Sequence, residues 1–163
     1  MSPRSLFPGS AALLLILASC APAGHQERLE ANKQVIRRLL GGMDSGNWAA
    51  FDSVFSPELV VHFPGGRLGR QETEAFARMF YTAFPDLTHT IEDLLAVDDK
   101  VVLRATDRGT HRGDFQGIPA TGRSVTIGII AIYRLADGRI VEAWEQGDFL
   151  GLRQQLGADS LAQ

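Results

Sequence analysis

Between Gln26 and Leu40 the apolar residues recur at helical spacing. Leu29, Ile36, Leu39 and Leu40 share one face and charged residues fill the others, so the stretch predicts an amphipathic helix that Gly41-Gly42 ends. Asn47 suits an N-cap for a second short helix with Trp48, Phe51, Val54 and Phe55 as its buried stripe, and Ser56-Pro57 stops it. Leu59-Val60-Val61-His62-Phe63 reads as a short strand closed by Pro64-Gly65-Gly66. A third helix is predicted over Arg70 to Phe84, where Phe76, Met79, Phe80 and Phe84 fall three or four residues apart, and Pro85-Asp86 ends it.

Beyond Pro85 the period changes from helical to alternating. Strands are predicted over Leu87–Val97, Val101–Arg112, Ser124–Leu135 and Arg139–Phe149, with Asp98-Asp99-Lys100 and Ala136-Asp137-Gly138 as hairpin turns. Phe115–Gly122 is a longer link, and Leu150 to Leu156 forms a last short helix. Helices first and a strand meander afterwards predict an α+β domain, in which the helices cover the apolar face of the sheet. No internal repeat or low-complexity segment interrupts it.

The amino-terminal pattern differs. Arg4 precedes the apolar run Ala11 to Leu17, which is too short to span a bilayer, and Leu17-Ala18-Ser19-Cys20 follows, with Cys20 the only cysteine. This order looks like a bacterial lipobox. It predicts a signal peptide over 1–19, a lipidated Cys20 with a tether to residue 25, and a domain over 26–163 exported and held to the cell envelope by its lipid. An ordinary secretory signal ending near Ala21 is the alternative, and either way a lone cysteine excludes an internal disulfide framework. If Cys20 carries the lipid, Cys20→Ala should move the protein out of the detergent phase in phase separation, and unchanged partitioning would contradict it.

The formal net charge of −3 at pH 7, with no basic stripe, speaks against nucleic acid as a partner. Histidines at 25, 62, 89 and 111 lack metal-ligand spacing, and neither a Gly-x-Ser-x-Gly elbow nor a phosphate loop is present. If the chain has an activity, the expectation is acid/base chemistry with no metal and no cofactor.

One stretch carries more specific information. It runs Gly109-Thr110-His111-Arg112-Gly113-Asp114-Phe115-Gln116-Gly117-Ile118-Pro119-Ala120-Thr121-Gly122-Arg123. It resumes with Asp137-Gly138-Arg139-Ile140-Val141-Glu142-Ala143-Trp144-Glu145-Gln146-Gly147-Asp148 and closes with Gln155-Leu156-Gly157. This resembles the SnoaL-like polyketide cyclase family in its His strand, Gly-Ile-Pro-x-Thr-Gly link, Trp-x-x-x-Asp strand and closing Gln-Leu-Gly. The resemblance implies a nuclear transport factor 2-like cone, a curved antiparallel sheet with about three packed helices enclosing one pocket. It also implies intramolecular aldol condensation, with Asp148 as acid/base and His111 and His62 as orienting groups.

Alternation along the second long strand puts Val101, Leu103, Ala105, Asp107, Gly109 and His111 on one face, and Arg104, Thr106 and Arg108 on the other. Asp107 and His111 therefore face inward, while the arginines face solvent or an interface. The Arg/Thr face offers a surface for pairing into a homodimer. His111 can bond a substrate oxygen or be satisfied by backbone, and Asp148 can be an acid/base or a helix cap. His62 is pocket or surface by parity. Trp144, Phe80, Phe84 and Tyr133 read first as core packing, with Trp144 and Phe80 also candidate substrate contacts, and His89 between two threonines reads as exposed. Two further functions use the same pocket. One is a lipoprotein that binds a small apolar ligand unchanged; the other is an isomerase or dehydratase similar to ketosteroid isomerase, with Tyr81 or Tyr133 as oxyanion donor.

Overall fold

The structure, a computed structural model, describes residues 23–158. The expected signal segment and Cys20 lie outside the described residues. In chain order the elements are α1 (Ala23–Asp44), α2 (Trp48–Val54), β1 (Phe55–Phe63), β2 (Gly66–Gly69), α3 (Arg70–Ala83), β3 (Thr88–Val97), β4 (Lys100–Thr110), β5 (Ser124–Ala136), β6 (Arg139–Gly147) and α4 (Phe149–Leu156). Six strands form one curved sheet in the order β2-β1-β6-β5-β4-β3. Among the described residues no helix is long and apolar enough to cross a membrane.

The α+β class and the element order match the expectation, with two corrections. The sheet is mixed rather than antiparallel, because β1 runs parallel to β6 with Val61 opposite Ala143 and His62 opposite Trp144. The chain also turns at Gly65 (φ 105°) and adds the short β2 beside β1, which the residues after Phe63 did not signal. The hairpin turn before β6 is as expected: Asp137 and Gly138 both have positive φ, the geometry that matches strand twist in a two-residue loop.

Gly41-Gly42 does not end α1, which continues to Asp44. Gly42 is buried where α2 crosses, and a Cβ there would lie 2.2 Å from the Cβ of Ala50, so the small residue admits the neighbouring helix and does not break its own. That extra turn brings Asp44 to the side chain of His89 on β3.

Two apolar clusters fill the interior. One gathers Ile36, Leu39, Phe51, Leu103, Ala131 and Ile140 under α1 and α2. The other gathers Phe80, Phe84, Phe115, Ile127, Leu152 and Leu156 between α3, α4 and the far end of the sheet. Arg104 and Arg108 are exposed while Leu103, Ala105 and Asp107 are buried, so β4 has the expected register.

Candidate functional site

A cavity of about 140 Å³ opens where the two clusters meet. Its walls are mostly apolar, with Leu39, Phe55, Phe76, Phe80, Leu103 and Ile129 among them, and its polar groups come from Thr73, Tyr81, His89, Asp107, Tyr133 and Glu145. Such a hollow with a few convergent polar groups is the usual form of a small-molecule site.

Asp107 reaches it because β4 alternates without interruption from Val101 onward. The residue is 6 % exposed, and its Oδ1 has no hydrogen-bond partner. Burial pushes its carboxyl up to about 6, an effect that the nearby His89 opposes and the Asp44 charge adds to. An acid with that value can both hold and release a proton near neutral pH.

His89 lies directly opposite Asp107 in the β3–β4 ladder. Its Nε2 is 3.8 Å from Asp107 Oδ2, and its Nδ1 is 2.5 Å from Asp44 Oδ1, with the Tyr81 hydroxyl 3.5 Å away. A carboxylate only accepts, so the Asp44 contact places the ring hydrogen on Nδ1 and leaves Nε2 turned to Asp107. The ring thus stands between the carboxyls, hydrogen-bonded to the partly exposed Asp44 and beyond hydrogen-bond reach of buried Asp107. The two carboxyls meet opposite edges of the ring and so do not converge on one point, as ligands of a single metal ion would.

The second polar pair comes from the centre of the sheet. The Tyr133 hydroxyl donates to Glu145, and burial raises both groups above their ordinary values. Burial also holds the Tyr81 hydroxyl neutral, with Asp44 and Asp107 adding to the shift. Glu145 faces inward because the β5–β6 register slips between Arg134 and Leu135, where Val141 is left unpaired. Ile140 precedes this bulge and points in. Beyond it Glu142, Trp144 and Gln146 point out and Ala143 and Glu145 point in, so the bulge switches the faces of the strand.

Of the residues expected in the site, Asp107 and Phe80 line the cavity. Asp148, His111, His62 and Trp144 do not. Asp148 is the exposed N-cap of α4, its Oδ1 accepting from Gly151 N at 2.8 Å. His111 is fully buried against Phe84, its Nδ1 accepting from Thr121 N at 3.2 Å, and burial lowers its tendency to protonate. His62 and Trp144 stack on the outer sheet face with ring centroids 5.3 Å apart, and His62 Nε2 is 2.9 Å from Glu142, which also pairs with Arg134. Asp148 and His111 therefore do not converge in one cavity.

The motifs that carry the resemblance turn out to build the frame. His111 exchanges backbone hydrogen bonds with Gly122 and Arg123 and so pins the carboxyl-terminal end of the Gly-Ile-Pro-x-Thr-Gly link. Gly113 packs where a Cβ would lie 2.6 Å from the Thr82 carbonyl oxygen. The Gln155 amide donates to and accepts from the Thr126 backbone, holding α4 on the part of β5 that β6 does not reach.

The expectation of an exposed His89 is overturned, since its side chain is only 9 % exposed. A signal was available, because Leu87, His89 and Ile91 alternate with Thr88 and Thr90 as the inward and outward sets of one strand. Nothing local marks Asp44 or Glu145.

Solved structures share this fold. TsrD from Streptomyces laurentii is 32% identical, with a TM-score of 0.72 over 79% of this chain and 96% of its own. IdmH from Streptomyces antibioticus, a "putative polyketide cyclase", is 30% identical with a TM-score of 0.70 over 77% of this chain and 98% of its own. AclR from Streptomyces galilaeus, a "putative hydroxylase", is 25% identical with a TM-score of 0.75 over 79% and 97%. No curated protein matches the sequence. The model of the SnoaL-like polyketide cyclase family matches residues 33–156, which include every residue that lines the cavity. The chain belongs to the SnoaL-like polyketide cyclase family.

Proposed function

We propose that the cavity performs acid/base chemistry on a small apolar carbonyl compound, with Asp107 as the group that takes and returns the proton. The observation that carries this is a buried carboxyl with one oxygen free of partners, facing apolar walls. Ionised Asp107 removes a proton from a carbon beside the carbonyl, and the C–H electrons pass into the enolate. In the aldol form of the reaction, the enolate carbon bonds to a second carbonyl carbon, whose oxygen takes the electron pair. The proton held by Asp107 then goes to that oxygen. Nothing is oxidised or reduced, and the carboxylate is restored.

The other polar groups fit supporting roles. His89, held by Asp44, faces Asp107 and favours its ionised form. Burial favours the neutral form of Glu145, which can then donate a hydrogen bond to the oxygen of the forming enolate while accepting one from Tyr133. Ring closure as the particular reaction is supported by the family and by the name IdmH bears. In this reading Asp148 caps α4 and His111 holds the link.

Exchange with deuterium isolates the first step. The protein should speed loss of the α-hydrogens of small cyclic ketones in D2O, followed by NMR, above the rate in buffer. Exchange no faster than in buffer across such a panel would leave a cavity that only binds.

A further inference from the structure

We infer that the part of the ligand buried in this cavity is a single six-membered ring bearing a neutral hydroxyl, a phenol or ring enol, with that hydroxyl on Oδ1 of Asp107. The inference rests on Asp107 being the functional carboxyl of the site, and it does not require turnover.

Size is the first argument. The cavity has a volume of about 140 Å³. An engineered apolar cavity of about 150 Å³ in another protein holds one benzene molecule, so the volume here matches one ring. Phe80 meets Phe149 edge to face at 6.4 Å, and Phe76 meets Phe149 likewise at 6.2 Å. Rings packed this way leave their edges and faces to a flat apolar guest.

Hydrogen bonding is the second argument. Oδ1 of Asp107 is buried and has no donor, a costly state that a bound O–H would relieve. Charge is the third. Asp107 and Glu145 line the cavity with Asp44 close behind, and among the described lining residues His89 is the one basic side chain. An anionic ligand such as a carboxylate would meet ionised Asp107 and nearby Asp44 with no arginine or lysine among the described lining residues to offset them. A neutral hydroxyl avoids that cost and supplies the missing donor. It also has the shape and polarity of an enol formed from a cyclic ketone, which ties the ligand to the proposed proton transfer.

Phenol, toluene, 2-naphthol, benzoate and benzylamine serve as probes, titrated into the protein at neutral pH and followed by NMR. Phenol should bind more tightly than toluene and benzoate, and 2-naphthol no more tightly than phenol. Contacts from the phenol ring to the Leu103 and Ile129 methyls should appear as intermolecular NOEs. In Asp107→Leu the affinity for phenol should fall about tenfold or more, the usual effect of losing a hydrogen bond to a charged group, while toluene binds at least as well. Asp107→Asn is the companion variant should the leucine protein fail to fold, and the NOEs on the wild-type chain need no variant. Naphthol or benzylamine binding tenfold more tightly than phenol, phenol affinity indifferent to position 107, or NOEs absent from the cavity would each overturn the inference. Ketone exchange is a separate readout, so its failure with phenol still bound would count against the proposed reaction alone.

Discussion

Asparagine at position 107 should slow α-hydrogen exchange of a bound ketone by roughly 10²–10⁴, the usual contribution of a positioned general acid/base. The substitution preserves shape and removes only the ionisable group, so ligand affinity should change much less than rate. Asp148→Asn is the matched control. Its carboxylate accepts from Gly151 N as a cap, and asparagine caps about as well as aspartate, so both exchange rate and melting temperature should survive. Equal losses at 107 and 148 would return Asp148 to the mechanism, and loss at 148 alone would remove Asp107 from it.

Stability should fall as pH rises through the mildly acidic range. Asp107 has an ordinary value of 3.8 and a folded value of about 6. Between these the folded chain keeps a proton that the unfolded chain has released, so unfolding becomes easier with each step up in pH. The stabilisation is fully present below 3.8 and is lost once pH passes about 6. A shift of that size is worth up to about 3 kcal/mol, or about 10 °C in melting temperature for a domain of this length. Glu145 is raised in the same direction, while Glu142, held low by His62 and Arg134, acts in the opposite one. The difference between wild type and Asp107→Asn isolates the term. The wild-type melting temperature should drop relative to the variant between about pH 4 and 7, and parallel curves would show that Asp107 is not buried as an acid. A site that destabilises its own fold in this way is common where a carboxyl must be ready to take a proton.

Much of this architecture was legible in local pattern. The period of β4 alone placed Asp107 inward and Arg104 and Arg108 outward, and the spacing of Phe76, Met79 and Phe80 predicted α3. What local pattern missed has particular causes. Gly41-Gly42 reads as a stop, yet the helix runs through because its glycine is needed against Ala50, and Asp44 follows from that contact with α2. The bulge at Val141 reverses the faces of β6, so that Glu145, not Gln146 or Asp148, looks into the cavity. His89 and Asp44 are separated by 45 residues, and only the closed fold brings them together. The residues most typical of the family were read as chemistry, and several of them secure the link after β4 and the last helix. A motif marks what the fold requires as readily as what the reaction requires.

The claim that Asp107 is a buried acid poised near neutrality can be measured without any substrate. The side-chain carboxyl carbon of Asp107, assigned by its absence from Asp107→Asn, can be followed by 13C NMR across the acid-to-neutral range. The account predicts a midpoint near 6, and a midpoint near the ordinary 3.8 would contradict it.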